Sequence, residues 1–348
     1  MTPFVSAGGR WRAGLEFLVA LLYLFFARLV VFHGLRGLVA DAWAPLAGQT
    51  LLVFFLLVGY ASMGFWFDRQ TGAIAEQGWP LRPGWRREAG VGLAAGWAVA
   101  LVCVLPMALF GGIAIFFTPQ FSQWGWLAAD AAYFAFAALA EEMAFRGYAF
   151  QRLERMAGPT RAALSFAMLY AALQSLLPGA SRASFAVSFV LALVLSVCYL
   201  RTRALWMSWG LNFGWKASRA LLFGLAVGGD ASHSPMVQGD PMGALWLSGG
   251  SFGLDGSWLS FFALLALLPV LYRLTRDLDF WFNAPVIVPG GIPVDLDAIA
   301  RAQHEAATAH AASTPPALVQ IASAEPGSAI AAPAPGQANH GQSIEGAR

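Results

Sequence analysis

Charge is scarce in this chain: 11% of its 348 residues are Asp, Glu, Lys or Arg, whereas 58% are hydrophobic. Soluble domains carry about 25% charged residues, so a water-exposed globular surface is excluded and a polytopic membrane protein is implied. Mean hydropathy is +0.60, which agrees. Lysine is scarcer still, because Lys216 is the single lysine among 21 basic residues. The arginines are scattered among short loops and the formal charge is +2, so no basic patch for nucleic acid exists. Cysteine is nearly absent. Cys103 and Cys198 both fall in apolar runs, which excludes a disulfide framework and a thiolate zinc site. The five histidines are His33, His233, His304, His310 and His340, and none lies between residues 124 and 226.

What the chain does have is long apolar runs. About eight spans can be drawn, at 13–33, 46–67, 89–117, 124–146, 160–178, 184–201, 204–226 and 257–275. The third is long enough to be tilted or broken, and Gly111-Gly112 marks a break point. Arg10 and Arg12 precede a first run of membrane-spanning length, which reads as an uncleaved first span. Basic residues alternate between connections. Arg69, Arg82, Arg86 and Arg87 follow span two, Arg152, Arg155 and Arg161 follow span four, Arg201 and Arg203 follow span six, and Arg273 and Arg276 follow span eight. The intervening loops hold only Arg36 and Arg182, so both termini are expected in the cytoplasm of a cell-membrane protein.

The fold expected is therefore all-α, a transmembrane helical bundle. Its segments are 1–88, with N-terminal spans and an interfacial stretch at 69–88; a core at 89–284; and an Ala/Pro-rich tail at 285–348, largely disordered. Within that tail Asp295 to Ala312 suits a short surface helix. The connection 228–256, rich in Gly, Ser and Asp, reads as an extracytoplasmic loop, and Trp66, Trp79, Trp85 and Trp206 as interfacial belt residues.

Acids inside membrane spans are costly, so those present are functional-site candidates. Glu141 and Glu142 sit near the end of span four, and Arg146 lies one helical turn after Glu142. The i,i+4 spacing lets Arg146 clamp Glu142, while Glu141 points about 100° away and is free for chemistry or another helix. Span five offers Tyr170 and, a turn later, Gln174; span seven offers Asn212 and, a turn later, Lys216, then Arg219. Structural readings exist for each. The glutamates and Arg146 could close a helix end, Tyr170 could be ordinary packing, Asn212 interhelical glue. Gln174 reads as solvated and Arg219 as snorkelling to an aqueous edge. Arg28 would partner an acid or sit near the interface, and Asp130 would complement a helix N-terminus.

On these residues the sequence resembles the CPBP family, the CAAX-protease and bacteriocin-processing intramembrane proteases. The family's first motif, Glu-Glu-x-x-x-Arg, is matched by Glu141, Glu142 and Arg146. The second, Phe-x-x-x-His, keeps Phe166 but has Tyr170 at the histidine position. The third, His-x-x-x-Asn/Asp, has Asn212 at the histidine position and Lys216 at the last, with Trp215 keeping the aromatic. Tyr199 to Trp206 and Ser251 to Gly256 resemble the family's flanking segments, and the likeness spans roughly 89–275. It implies a membrane-embedded endopeptidase in which the first glutamate acts with the histidines to activate water, directly or through a metal, the arginine positions the second glutamate, and the polar residue of the third motif steadies the oxyanion.

Both motif histidines are replaced, so no cofactor is expected and a zinc centre is not, because zinc favours nitrogen and sulfur ligands. Glu141 alone could still act as base, with Tyr170 and Asn212 holding water or oxyanion, at a loss of about 10²–10⁴-fold for a missing partner. Alternatively Lys216 neutralises Glu141 in a retired site, since the formal charges of Glu141, Glu142, Arg146 and Lys216 balance. Two functions follow: cleavage of a peptide or membrane-anchored substrate near the cytoplasmic face, or non-catalytic binding of such a partner. The lipid bilayer is a partner in either.

Overall fold

The computed structural model describes residues 7–68, 75, 77–233, 236–276, 301–306 and 308–309. The chain divides into two units, Met1–Ala284 and Pro285–Arg348. In the second, residues 301–306 and 308–309 are helical; the rest of the surface helix expected over Asp295–Ala312, and the expected disorder of the tail, lie outside the described residues.

The helices of the first unit are α1 (Ala7–Gly34), α2 (Ala44–Asp68), α3 (Trp85–Leu109), α4 (Trp124–Arg146), α5 (Tyr148–Ala157), α6 (Pro159–Gln174), α7 (Arg182–Thr202), α8 (Trp206–Ala217) and α9 (Trp258–Leu274). Five segments are long and apolar enough to cross a membrane: Gly9–Gly34, Ala44–Phe67, Trp85–Leu109, Arg182–Thr202 and Gly250–Leu274. The protein is a helical, multi-pass membrane protein. Of the other drawn spans, α6 has 16 residues and α8 has 12, and at about 1.5 Å per residue neither fills a ~30 Å hydrocarbon layer by itself. α4 is long enough, but Asp130, Glu141, Glu142 and Arg146 interrupt its apolar surface.

The all-α expectation needs one correction. The third run does not continue to residue 117: α3 ends at Leu109, Gly111 turns the chain with φ 69°, and Ile113–Phe117 forms strand β1. β1 pairs antiparallel with β2 (Val237–Pro241), from Ile113 opposite Pro241 to Phe117 opposite Val237. The β-branched and aromatic Ile-Ala-Ile-Phe-Phe run favours a strand once the glycines release it from the helix. A second correction concerns the stretch after Arg146, read as a basic loop. It is the amphipathic helix α5, which buries Tyr148, Phe150 and Leu153, and also Arg152. Arg152 reaches Glu16 of α1 at 3.2 Å and lies 4.1 Å above the Tyr148 ring. Gly158 (φ 90°) then turns the chain, and Pro159 opens α6 at a position where its missing N–H costs nothing.

Two apolar clusters carry the bundle. One gathers α1, α2, α4, α5 and α6 through Tyr60, Tyr148, Phe150 and Phe166; the other gathers α3, α7, α8 and α9 through Met107, Leu195, Leu211 and Trp215. α3 and α8 run parallel in close contact, each through a Gly-x-x-x-Gly pair. A Cβ on Gly92 would lie 2.1 Å from the Met207 carbonyl oxygen, and one on Gly210 would lie 2.1 Å from that of Ala89. Gly96 and Gly214 repeat the pattern one turn on, against Leu211 and Leu93. Small residues let two backbones meet, and dispersion and Cα–H contacts hold them without a hydrophobic driving force in lipid.

The segment before α3 docks on the junction of α7 and α8. Leu205 N donates to Gly78 O at 2.7 Å, Trp206 Nε1 to Pro80 O at 2.9 Å, and Arg82 Nη2 to Thr202 O at 2.7 Å. Trp79 and Trp85 pack on Trp206 with ring centroids 4.8 and 4.4 Å away. Trp66 is exposed, as a belt residue would be, but Trp79 is buried in this cluster, a correction to its belt reading.

Candidate polar centre

α4 points Glu141 and Glu142 towards α8, which lies between α4 and α3. The glycine contacts occupy one face of α8, and Asn212 and Lys216 share the opposite one. Asn212, fully buried, donates through Nδ2 to Glu141 Oε2 and to Glu142 Oε1, 3.0 Å each. One amide thus bridges both acids, and only its nitrogen can face them, since carboxylates solely accept. Arg146 Nη1 donates to Glu142 Oε1 at 3.2 Å, and its Nη2 to Ala192 O of α7 at 3.1 Å. The Lys216 ammonium pairs with Glu141 Oε1. Tyr170 lies over from α6, its hydroxyl 3.5 Å from Glu141 Oε2 and its ring edge-on to Phe145 at 5.2 Å.

The structure therefore brings Glu141, Glu142, Arg146, Tyr170, Asn212 and Lys216 into one cluster with a formal charge sum of zero. Both oxygens of Glu141 are engaged, yet its side chain keeps 25% of its surface, while Glu142 is wholly enclosed. Four ionic groups inside a membrane bundle are tolerable only when they pair in this way.

Four peripheral residues fall elsewhere than the sequence suggested. Gln174 is not merely solvated, since Nε2 donates to the Tyr170 hydroxyl at 3.0 Å. Arg219 does not snorkel. A turn of π-helix, Ser218–Leu222, extends α8 and buries its guanidinium 2.7 Å from Asp255 and 4.1 Å from the Trp215 ring centroid. Asp130 lies two turns inside α4, too far in to cap it, and meets His233 at 3.0 Å. Arg28 finds no acid among the described residues: it is exposed, with its guanidinium 5.3 Å from the Phe32 ring.

Asp255 was not singled out from sequence, although it accepts from Trp215 Nε1 at 3.3 Å and from Gly228 N at 3.0 Å as well as pairing with Arg219. Its signal was a lone acid immediately before an apolar span. Among the described residues no three His, Cys, Asp or Glu side chains converge to hold a metal. The centre offers two carboxylates, an amide and a phenol, with an ammonium already on one carboxylate oxygen, and such a set does not fit zinc.

Residues 122–218 match the family model described as type II CAAX prenyl endopeptidase Rce1-like. No curated protein and no solved structure matches the chain. The matched segment runs from just before α4 to the first residue after α8 and contains all six members of the centre. Over that segment the chain is similar to the Rce1-like, CAAX-protease-type membrane endopeptidases.

Proposed function

We propose that this is a CAAX-protease-type protein of the cell membrane whose polar centre engages a membrane-anchored peptide without hydrolysing it. The observation that carries the reading is the Lys216–Glu141 ion pair. A general base needs a free lone pair within hydrogen-bond reach of the water it deprotonates. On Glu141 one oxygen faces an ammonium and the other accepts from Asn212 and Tyr170, so three of its about four lone-pair sites are taken. An adjacent cation also stabilises the ionised carboxylate and so weakens it as a base. Among the described residues no imidazole stands in the centre to take over.

In this reading the chain crosses the bilayer eight times with both termini in the cytoplasm, as the arginine distribution supports. The shorter α6 and α8 cross within a frame of longer helices. Residues 89–284 form the working core, and the centre lies towards the cytoplasmic end of α4, where the carboxylates, Asn212 and Lys216 meet the polar backbone of a peptide.

A second reading is hydrolysis by water activated at Glu141, favoured by the family match and by the exposed quarter of the Glu141 side chain. There Tyr170 and Asn212 hold water or oxyanion, Arg146 positions Glu142, and Lys216 withdraws when substrate enters. One assay separates the two. The purified chain is reconstituted in vesicles with a lipid-anchored peptide, and wild type is compared with Glu141→Ala for cleavage and retention. Retention without cleavage by either form is expected; cleavage by wild type that vanishes in Glu141→Ala establishes the peptidase.

A further inference from the structure

On the far half of α4 from the glutamates lies a second polar cluster that the centre does not use. His233 is buried, stacked on Tyr133 with ring centroids 4.2 Å apart and meeting Phe134 edge-on at 5.3 Å. Its Nδ1 lies 3.0 Å from Asp130 Oδ1 on α4, and its Nε2 lies 3.4 Å from Asp230 Oδ2 on its own loop. Each ring nitrogen thus faces a carboxylate. Ionised carboxylates only accept, and a neutral imidazole has one N–H, so both contacts are hydrogen bonds only in the imidazolium form.

The acids are set up to stay ionised on one side at least. Burial raises the Asp230 carboxyl, but hydrogen bonds from the Ser232 hydroxyl and amide and the nearby His233 outweigh it, leaving it below the usual carboxylate range. The Ser232 hydroxyl donates to Asp230 Oδ1 at 2.6 Å and the Ser232 amide at 2.9 Å. Inside the loop Val227 N donates to Asp230 O at 2.9 Å. The loop is tied to the rest by Gly229 N, which donates to Phe252 O at 3.3 Å, and by Gly228 N, which donates to the same Asp255 carboxylate that holds Trp215 of α8 and Arg219 of its extension.

We propose that His233 is a proton-binding site that latches the 227–233 loop to α4. With the proton bound, the imidazolium bridges Asp130 and Asp230. When the proton passes to solvent, one ring lone pair faces a carboxylate, that bond becomes a repulsion, and the loop opens. Among the described residues the groups facing the ring are Asp130, the Tyr133 phenol and Phe134 from α4 and Asp230 from the loop. The latch needs both ring N–H groups, one for each carboxylate, so closure is expected to weaken as pH rises.

Hydrogen exchange of the full chain in detergent, read on peptides covering 222–233 and corrected for intrinsic rates, tests the latch from about pH 5.5 to 8.5. One released proton raises the opening constant by up to about tenfold per pH unit. Wild type is expected to show that rise, while His233→Gln and Asp130→Asn show little pH slope and are already open at the acid end. A flat profile in wild type, or an unchanged slope in His233→Gln, overturns the proposal. Should His233→Gln not fold, Asp130→Asn and the wild-type slope decide. The readout needs no peptide, so it stands or falls separately from the binding and cleavage assay.

Discussion

Replacing Lys216 by methionine keeps the length and apolar stem of the side chain and removes only the ammonium. Glu141 then loses its ion-pair partner and keeps the Asn212 amide at 3.0 Å and the Tyr170 hydroxyl at 3.5 Å. Removing one partner of a buried pair costs about 3–5 kcal/mol when the remaining charge is sealed from water. Glu141 retains 25% side-chain exposure and one good hydrogen bond, so the loss is expected at roughly 2–3 kcal/mol. At about 2–4 °C per kcal/mol for a domain of this order of size, Tm falls by roughly 5–10 °C. Glu141→Gln, which strands the ammonium instead, should cost a similar amount. The double variant leaves no charge unpaired, and the amide oxygen introduced by Glu141→Gln can still accept from Asn212, so it should melt close to wild type. The double-mutant cycle, measured by thermal unfolding in detergent, is thus expected to show about 4–6 kcal/mol of coupling, the sum of the two single losses. Additive losses, or a Lys216→Met protein that melts within about 1 °C of wild type, would falsify the charge-balanced centre.

Other consequences can be checked alongside. Arg146→Leu leaves the enclosed Glu142 without a cation and should cost about 3–5 kcal/mol; Arg146→Lys recovers part, because a single ammonium cannot span both Glu142 and the Ala192 carbonyl. Gly210→Leu would drive a side chain into the Ala89 carbonyl at 2.1 Å, separating α3 from α8, and loss of a monodisperse peak in size-exclusion chromatography is expected. Gly90→Ala on the same α3, where a Cβ meets nothing within 4 Å, should instead raise Tm slightly, as Gly to Ala in a helix is worth up to about 1 kcal/mol. Asp255→Asn strands the buried Arg219 beside Trp215 and should lower stability by about 2–4 kcal/mol with a change in near-UV circular dichroism. Tyr170→Phe removes a hydroxyl at the limit of bonding distance to Glu141, so under about 1 kcal/mol should be lost.

Much of this was legible because membrane helices announce themselves locally. A run of apolar residues needs no distant partner to be helical in lipid, so the bounds of α4, α7 and α9 follow within a few residues from composition and punctuation, whereas the end of α3 does not. The Glu142–Arg146 clamp was equally local, one turn apart on a single helix. Misreadings arose where a contact, and not the residue's own polarity, decides its environment. Arg152, Arg219 and Trp79 look like surface or interface residues on their own; Glu16, Asp255 and Trp206 make their burial tolerable. The strand Ile113–Phe117 reads as the end of a span until Val237–Pro241, more than a hundred residues later, supplies its hydrogen-bond ladder.

The sequence by itself determined a helical multi-pass membrane protein, two carboxylates and an arginine on one span, and a lone lysine on another, because helical periodicity and the cost of charge in lipid act over a few residues. Tertiary structure decided what those charges do. The glycine pairs of α3 and α8 press the two backbones together, which turns Asn212 and Lys216 towards α4, and there the ammonium meets Glu141. That meeting joins residues 75 positions apart, and no local rule could have chosen between a free base and a neutralised one.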